Sequence, residues 1–226
     1  MSKRMHKPQT DPRPHAPSRL AASRLVRTVA GSIRKAGLGE GARLVVGCSG
    51  GPDSTALMVA LSLLGERLGY TVQVVCVDHG LRPEAAEEAR LVQQVALRLG
   101  LSARRMTVHV PKQASLQAAA RTARYQALTK AARDFGSQAV LVAHTLNDQA
   151  ETVLQRLLGG AGPRGLSGMT AVRALEHSAI TPSVLLLRPL LAVERSLILT
   201  FLTDAQDWIA PLPFIDQSNH DLRFTR

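Results

Sequence analysis

Residues 44 to 54 read Leu-Val-Val-Gly-Cys-Ser-Gly-Gly-Pro-Asp-Ser, an apolar strand that breaks into a glycine-rich turn. The stretch that follows, Ala56 to Leu64, is apolar and reads as a helix. Strand, tight loop and helix therefore succeed one another without a spacer, which calls for a sheet with helices packed on it. Gly50 and Gly51 can take positive φ and lack a Cβ, so an anion can approach the backbone closely. Ser49 and Ser54 add hydroxyls, and the helix start adds free N–H groups and the positive end of its dipole. Such a loop can hold a string of phosphates with almost no positive charge of its own. Asp53 would repel bare phosphate, so its presence argues for a bridging cation such as Mg²⁺. The loop lacks the lysine and the spacing of a Walker A motif. An ordinary surface turn uses the same residue types; the flanking strand and helix favour the phosphate site.

The rest of the chain repeats the rhythm. Residues 20 to 36 have apolar positions at helical spacing, with arginines between them. Strands are expected at 43–48, 71–78, 103–110, 139–143 and 184–187. Helices are expected at 53–69, 83–99, 115–135, 147–158 and 193–207. This alternation predicts an α/β fold: an open, mainly parallel five-stranded sheet with helices on both faces and right-handed crossovers. Ligands of such sheets bind at the carboxyl ends of the strands. Three polar clusters stand at those ends: the phosphate loop, Asp78-His-Gly-Leu-Arg82, and His144-Thr-Leu-Asn-Asp-Gln-Ala-Glu-Thr152. In a parallel sheet they share one rim. Residues 1 to 18 hold four prolines and no apolar periodicity, which reads as a disordered basic tail before a domain spanning 19–226.

Composition narrows the function. The net charge is +11, which favours a polyanionic partner such as a nucleic acid. Aromatics make up 3% of the chain, so rows of base-stacking rings are not the means of recognition. No apolar run is long enough to span a bilayer, and the basic N-terminus has no apolar core of a secretory signal, so a cytoplasmic protein without membrane contact is expected. Cys48 and Cys76 fall in or near core strands and read as buried thiols in a reducing compartment.

Each remaining cluster has a structural reading beside the chemical one. His79 could hold a base or sugar, or belong to a capped strand–helix turn. Arg121 and Arg124 lie three apart on a long helix and could both reach an anion, or simply be solvated. Asp148 and Glu151 form an i, i+3 pair at a helix start; they could bind a cation or an ammonium group, or cap the helix.

Taken together, and in this order, Ser49-Gly-Gly-Pro-Asp-Ser54, Asp78-His-Gly-Leu-Arg82, Ala118-Ala-Ala-Arg-Thr-Ala-Arg-Tyr125, Ala143-His with Asn147-Asp-x-x-Glu-Thr152, Gly162-Pro-Arg-Gly-Leu-Ser-Gly-Met169 and Arg188-Pro-Leu190 resemble the tRNA(Ile)-lysidine synthases. These are members of the N-type ATP pyrophosphatases, or PP-loop superfamily, with an adenine-nucleotide α-hydrolase-like fold. The resemblance runs from about Arg43 to the C-terminus. It implies an ATP-dependent ligase that joins L-lysine to C2 of the wobble cytidine of a CAU-anticodon tRNA(Ile), through an adenylated cytidine, releasing AMP and pyrophosphate. By the same resemblance, Ser49, Gly50, Gly51, Pro52, Asp53 and Ser54 would hold ATP, Asp53 would bind Mg²⁺, and His79 and His144 would lie near nucleotide or the target base. Asp148 and Glu151 would bind the amino groups of lysine, and Arg121 or Arg124 its carboxylate or the phosphates. Asp53, Arg121, Asp148 and Glu151 form the expected catalytic set, with the general base sought among the last two carboxylates. A homodimer is compatible with this reading. Another PP-loop tRNA-modifying ATPase, or a non-catalytic tRNA- or nucleotide-binding fragment, is the alternative; related thiolases use paired Cys-x-x-Cys motifs that this chain lacks.

The chain departs from the family pattern at Thr145 and Asn147, where His and Asp are common, and at Gln117, where Glu is common. Asp216-Gln-Ser-Asn219 resembles a stretch that in the family leads into an RNA-binding region, so the expected unit is a catalytic domain truncated before it.

Overall fold

The computed structural model describes residues 18–80, 85–109, 116–162, 165–175 and 183–209. The tail over 1–17, Leu81, Arg82 and Pro83, Pro163 and Arg164, and the Asp216–Asn219 stretch lie outside the described residues.

The chain opens with α1 (Ser18–Ala21) and α2 (Arg24–Lys35), where the sequence suggested a single helix. The break has a local cause: Ser23 adopts extended backbone and its hydroxyl accepts the Val26 N–H at 3.3 Å, so a new helix starts there. There follow β1 (Arg43–Gly47), α3 (Pro52–Leu68), β2 (Thr71–Asp78), α4 (Ala85–Arg98), β3 (Ser102–Thr107), α5 (Leu116–Phe135), β4 (Ala139–Leu141) and α6 (Leu146–Leu158). The last elements are β5 (Val172–Ala174), β6 (Leu185–Leu187) and α7 (Arg195–Ile209).

The sheet order is β3-β2-β1-β4-β6-β5, parallel except for β5, which pairs antiparallel with β6. The expected fifth strand is β6. The sixth, β5, was not foreseen: it is three residues long, Val-Arg-Ala, with neither an apolar run nor alternation to announce it.

Alternate residues of β1 point to opposite faces. Leu44 and Val46 join a core with α2, α3, α4 and α7, whereas Val45 joins Val75, Val140 and Leu186 against Leu128, Ala131 and Ala132 of α5. Helix α3 is buried nearly all round, from Ser54 to Leu64, because it lies between the sheet and the α2–α7 layer. On the other face α5 approaches β1 closely. A Cβ at Gly47 would stand 3.2 Å from Leu128 Cδ1, so the strand end must be bare for the helix to pack. Among the described residues, no helix is long and apolar enough to cross a membrane.

Candidate active site

From β1 the chain moves outward to β2 and β3, then returns to the other side of β1 as β4. The strand order thus reverses between β1 and β4, and in open α/β sheets the crevice beyond the carboxyl ends at such a point is where ligands bind. Both flanking ends carry polar clusters named from the sequence: the loop at 48–54 after β1, and His144 onward after β4.

The loop is braced from inside. Gly50 has φ +88°, in the left-handed region. The Ser54 hydroxyl is buried; it donates to Gly51 O at 3.0 Å and accepts the Ser49 N–H at 3.3 Å. The Ser49 side chain is exposed, with its Oγ 3.4 Å from Ser54 Oγ. Ser54 therefore holds the loop's shape, and Ser49 presents the outward hydroxyl. Gly51 is the N-cap of α3 and Pro52 its first residue, and no side chain caps the start. Proline has no N–H to lose there and pre-sets φ for the helix. The Thr55 N–H already donates to Gly51 O at 3.0 Å, and an uncapped helix start of this kind suits an anion.

Asp53 sits in that first turn, 23% exposed, with Oδ2 3.7 Å from the Arg195 guanidinium at the start of α7. Among the described residues, no group of three or more His, Cys, Asp and Glu side chains could hold a metal ion. That fits Mg²⁺ in one particular way. This ion usually takes one or two carboxylates and completes its octahedron with water and substrate phosphates. A single carboxylate beside a phosphate-binding loop suits a cation that arrives with its nucleotide.

At the end of β2, Asp78 accepts the Gly80 N–H at 2.8 Å and Arg105 Nε at 3.1 Å. The Gly80 amide, with Arg105 added, holds its carboxyl below the usual range. Asp78 is thus committed to shaping the turn. His79 follows it, and neither ring nitrogen hydrogen-bonds to a described residue. Burial, with the Arg124 charge nearby, pushes its pKa down.

At the end of β4, His144 Nδ1 accepts from Arg188 Nε at 3.2 Å. Burial first, and the Arg188 charge second, push the imidazole down to about 4. Arg188 is buried just past β6 and also donates to Thr170 O at 2.6 Å. From α5, Arg121 lies 5.2 Å from the centre of the Tyr125 ring, and Arg173 of β5 lies 5.3 Å from the same ring. Arg121 and Arg124 both act on His144 electrostatically, which puts the first half of α5 within reach of the end of β4. Arg173 and Arg195 were not singled out from the sequence, and Arg188 entered only as part of a motif. Arg188 carried a usable signal, since it is a charged residue at the carboxyl end of an apolar strand.

Helix α6 begins with a capping box: Thr145 Oγ1 accepts from the Asp148 N–H, and Asp148 Oδ2 accepts the Thr145 N–H at 2.8 Å. The structural reading of Asp148 therefore holds, and its Oδ2 is engaged. Glu151 stands exposed almost one turn further along the same side of the helix. Replacing Thr145 by valine is expected to cost about 1 kcal/mol and to lower Tm by about 2–4 °C, measurable by calorimetry; an unchanged Tm would show that the cap does not stabilise α6. Elsewhere, a shallow hollow of about 330 Å³, lined by Gly39 to Arg43, Gly136 and Gln138, lies at the amino ends of β1 and β4, on the rim opposite all of these residues.

The chain is 47% identical over 193 residues to a tRNA(Ile)-lysidine synthase of Methylobacterium nodulans, a match covering 84% of this chain and 53% of that protein. It is 44% identical over 182 residues to one of Salinispora arenicola, covering 80% and 51%. The chain thus spans about half the length of these relatives. Among solved structures, a U34-tRNA thiolase from Methanococcus maripaludis aligns with TM-score 0.65 at 15% identity, covering 86% of this chain and 68% of that one. An NMN synthetase from Francisella tularensis aligns with TM-score 0.54 at 13% identity, covering 90% and 75%. These two likenesses show the fold alone. A family model described as a PP-loop domain matches residues 23–226, from the serine that caps α2 to the last residue, and with the strand–loop–helix at 44–64 in place the chain belongs to that family.

Proposed function

We propose that this chain is the ligase unit of a tRNA(Ile)-lysidine synthase, using ATP to join L-lysine to C2 of the wobble cytidine of a CAU-anticodon tRNA(Ile). The observation that carries the reading is the reversal of strand order between β1 and β4, which sets an uncapped phosphate loop at the end of one strand and the His144–Glu151 cluster at the end of the other. In the first step the cytidine C2 oxygen attacks the α-phosphorus of ATP and pyrophosphate leaves. In the second, the lysine ε-amine attacks C2, loses a proton, and AMP departs with the oxygen.

The chain's residues divide these tasks. Ser49, Gly50, Gly51 and the first-turn amides of α3 bind the β and γ phosphates, and Ser54 keeps those donors aimed. Mg²⁺, when bound by Asp53 and phosphate oxygens, supplies charge neutralisation for the leaving pyrophosphate. Arg121 and Arg124 draw the lysine carboxylate or a phosphate to the rim, and Asp148 and Glu151 receive the amino groups. Asp148 or Glu151 would serve as the base for the ε-amine, and Asp148 Oδ2 also accepts the Thr145 amide. The net charge of +11 suits the tRNA, and a cytoplasmic site follows from that substrate. Thiolation fits less well: the chain has two cysteines, both free and buried, and burial raises both thiols.

The test is AMP and pyrophosphate formation from ATP and Mg²⁺, with and without L-lysine and a CAU-anticodon tRNA(Ile) transcript, with the nucleosides read by mass. A cytidine heavier by one lysine less water is the expected product. AMP without that nucleoside would overturn the lysidine reading.

A further inference from the structure

His144 could serve this chemistry in two opposed ways, as a base that takes a proton or as a donor that gives a hydrogen bond. Its surroundings choose between them. The contact comes from Arg188 Nε to Nδ1, at 3.2 Å. A guanidinium has donors only and stays protonated, so Nδ1 must offer its lone pair. A neutral ring in that position carries its hydrogen on Nε2.

Arg188 is not free to yield. It is 4% exposed and donates through its NH1 nitrogen to Thr170 O at 2.6 Å, and its backbone N–H donates to Ala171 O at 2.8 Å. The residue is thus pinned between the end of β6 and the segment leading into β5. The other charges acting on His144 are Asp148, which favours the protonated ring, and Arg121 and Arg124, which disfavour it. Three cations against one anion reinforce the neutral state.

We infer that Arg188 is a positioning residue that fixes His144 as a neutral ring donating from Nε2. This rests on the ligase reading for its consequence: His144 gives a hydrogen bond to an oxygen of nucleotide or substrate and does not deprotonate the lysine ε-amine. A donor that never becomes charged also leaves the oxygen's charge to the metal and arginines.

The test reads the tautomer directly, on the full chain without substrate. Long-range ¹H–¹⁵N correlation of histidine-labelled protein gives the protonation pattern of each ring, and His144→Gln identifies the His144 signals by their loss. The expected pattern is Nε2–H, unchanged down to about pH 5, well below the ordinary histidine range. An Nδ1–H ring, a mixture of tautomers or an imidazolium at neutral pH would overturn the inference. In Arg188→Met, the ring is expected to sample both tautomers and to titrate nearer its ordinary range, because a fixed cation has been removed. Its kcat for AMP formation should then begin to fall at a higher pH on the acid side than the parent's. A folded Arg188→Met with the parent's spectrum would also overturn the inference; if that variant does not fold, the parent's spectrum decides alone. Failure of lysine transfer by the parent chain would count against the ligase reading only, since the tautomer is read without it.

Discussion

Asparagine at position 53 is expected to reduce ATP-dependent AMP formation by about 10²–10³-fold, the cost of losing one well-placed electrostatic partner of a transition state. The substitution keeps the size of the side chain and its capacity to accept hydrogen bonds in the first turn of α3, but removes the charge. Asp53 is the one carboxylate of the loop at 48–54, so no other acidic side chain of the loop replaces it. Nucleotide affinity separates the causes: ATP binding with Mg²⁺ should fall toward its value in chelator, and binding in chelator should fall little or even rise. The 3.7 Å contact with Arg195 would also be weakened, but an exposed-to-half-buried pair contributes at most about 1 kcal/mol and cannot explain a loss of that size. Normal AMP formation by the variant would remove Asp53 from the site.

The second large effect is expected at Gly50. Its φ of +88° lies where a β-branched residue is strained, and a Cβ there would touch Val92 Cγ2 at 3.4 Å. Valine at position 50 must either hold that strained conformation, at about 1–2 kcal/mol, or turn the peptide and with it the amides aimed at the phosphates. The second course costs little stability and most of the function. We therefore expect a Tm within a few degrees of the parent, by the scaling for a domain of this size, and ATP affinity weaker by at least about tenfold, or 1.4 kcal/mol. Calorimetry and nucleotide titration on one preparation check both halves. Full ATP affinity would show that the Gly50 backbone is not part of the phosphate cradle.

The fold was legible wherever strands are buried on both faces. Leu44–Val46, Val72–Val77 and Ala139–Leu141 read as apolar runs because helices cover both sides of the sheet. Legibility fell at the edges. β3 is Ser-Ala-Arg-Arg-Met-Thr and was recognised through its place in the alternation, with its end set too late. β5 exists only because Val172–Ala174 pairs with β6, a long-range fact that a three-residue window cannot hold.

The site divides the same way. The phosphate loop, His79, His144 and the α6 start are each contiguous, so their residue types and order exposed them. The Arg188–His144 bond joins residues 44 apart, and the Arg173–Tyr125 contact joins a strand to a helix. Such pairs are products of topology, invisible until the strand order is known. At Asp148, both readings open in the sequence were physically reasonable, and the capping geometry shows that the carboxylate has a structural duty whatever else it binds.

The reversal of strand order beside β1 also sets when the crevice can exist during folding. β1 pairs with β2 across a short segment, Val46 meeting Val74, whereas on its other side Val46 meets Leu141, 95 positions away (141 − 46). Non-local pairings carry the larger loop-closure cost and form late. A nascent chain can therefore shape its phosphate loop on β1, β2 and α3 while the far wall is still being synthesised. The two sides of the crevice would then be acquired in sequence as the chain folds, and a chain stalled before β4 would have the phosphate loop without the wall that faces it.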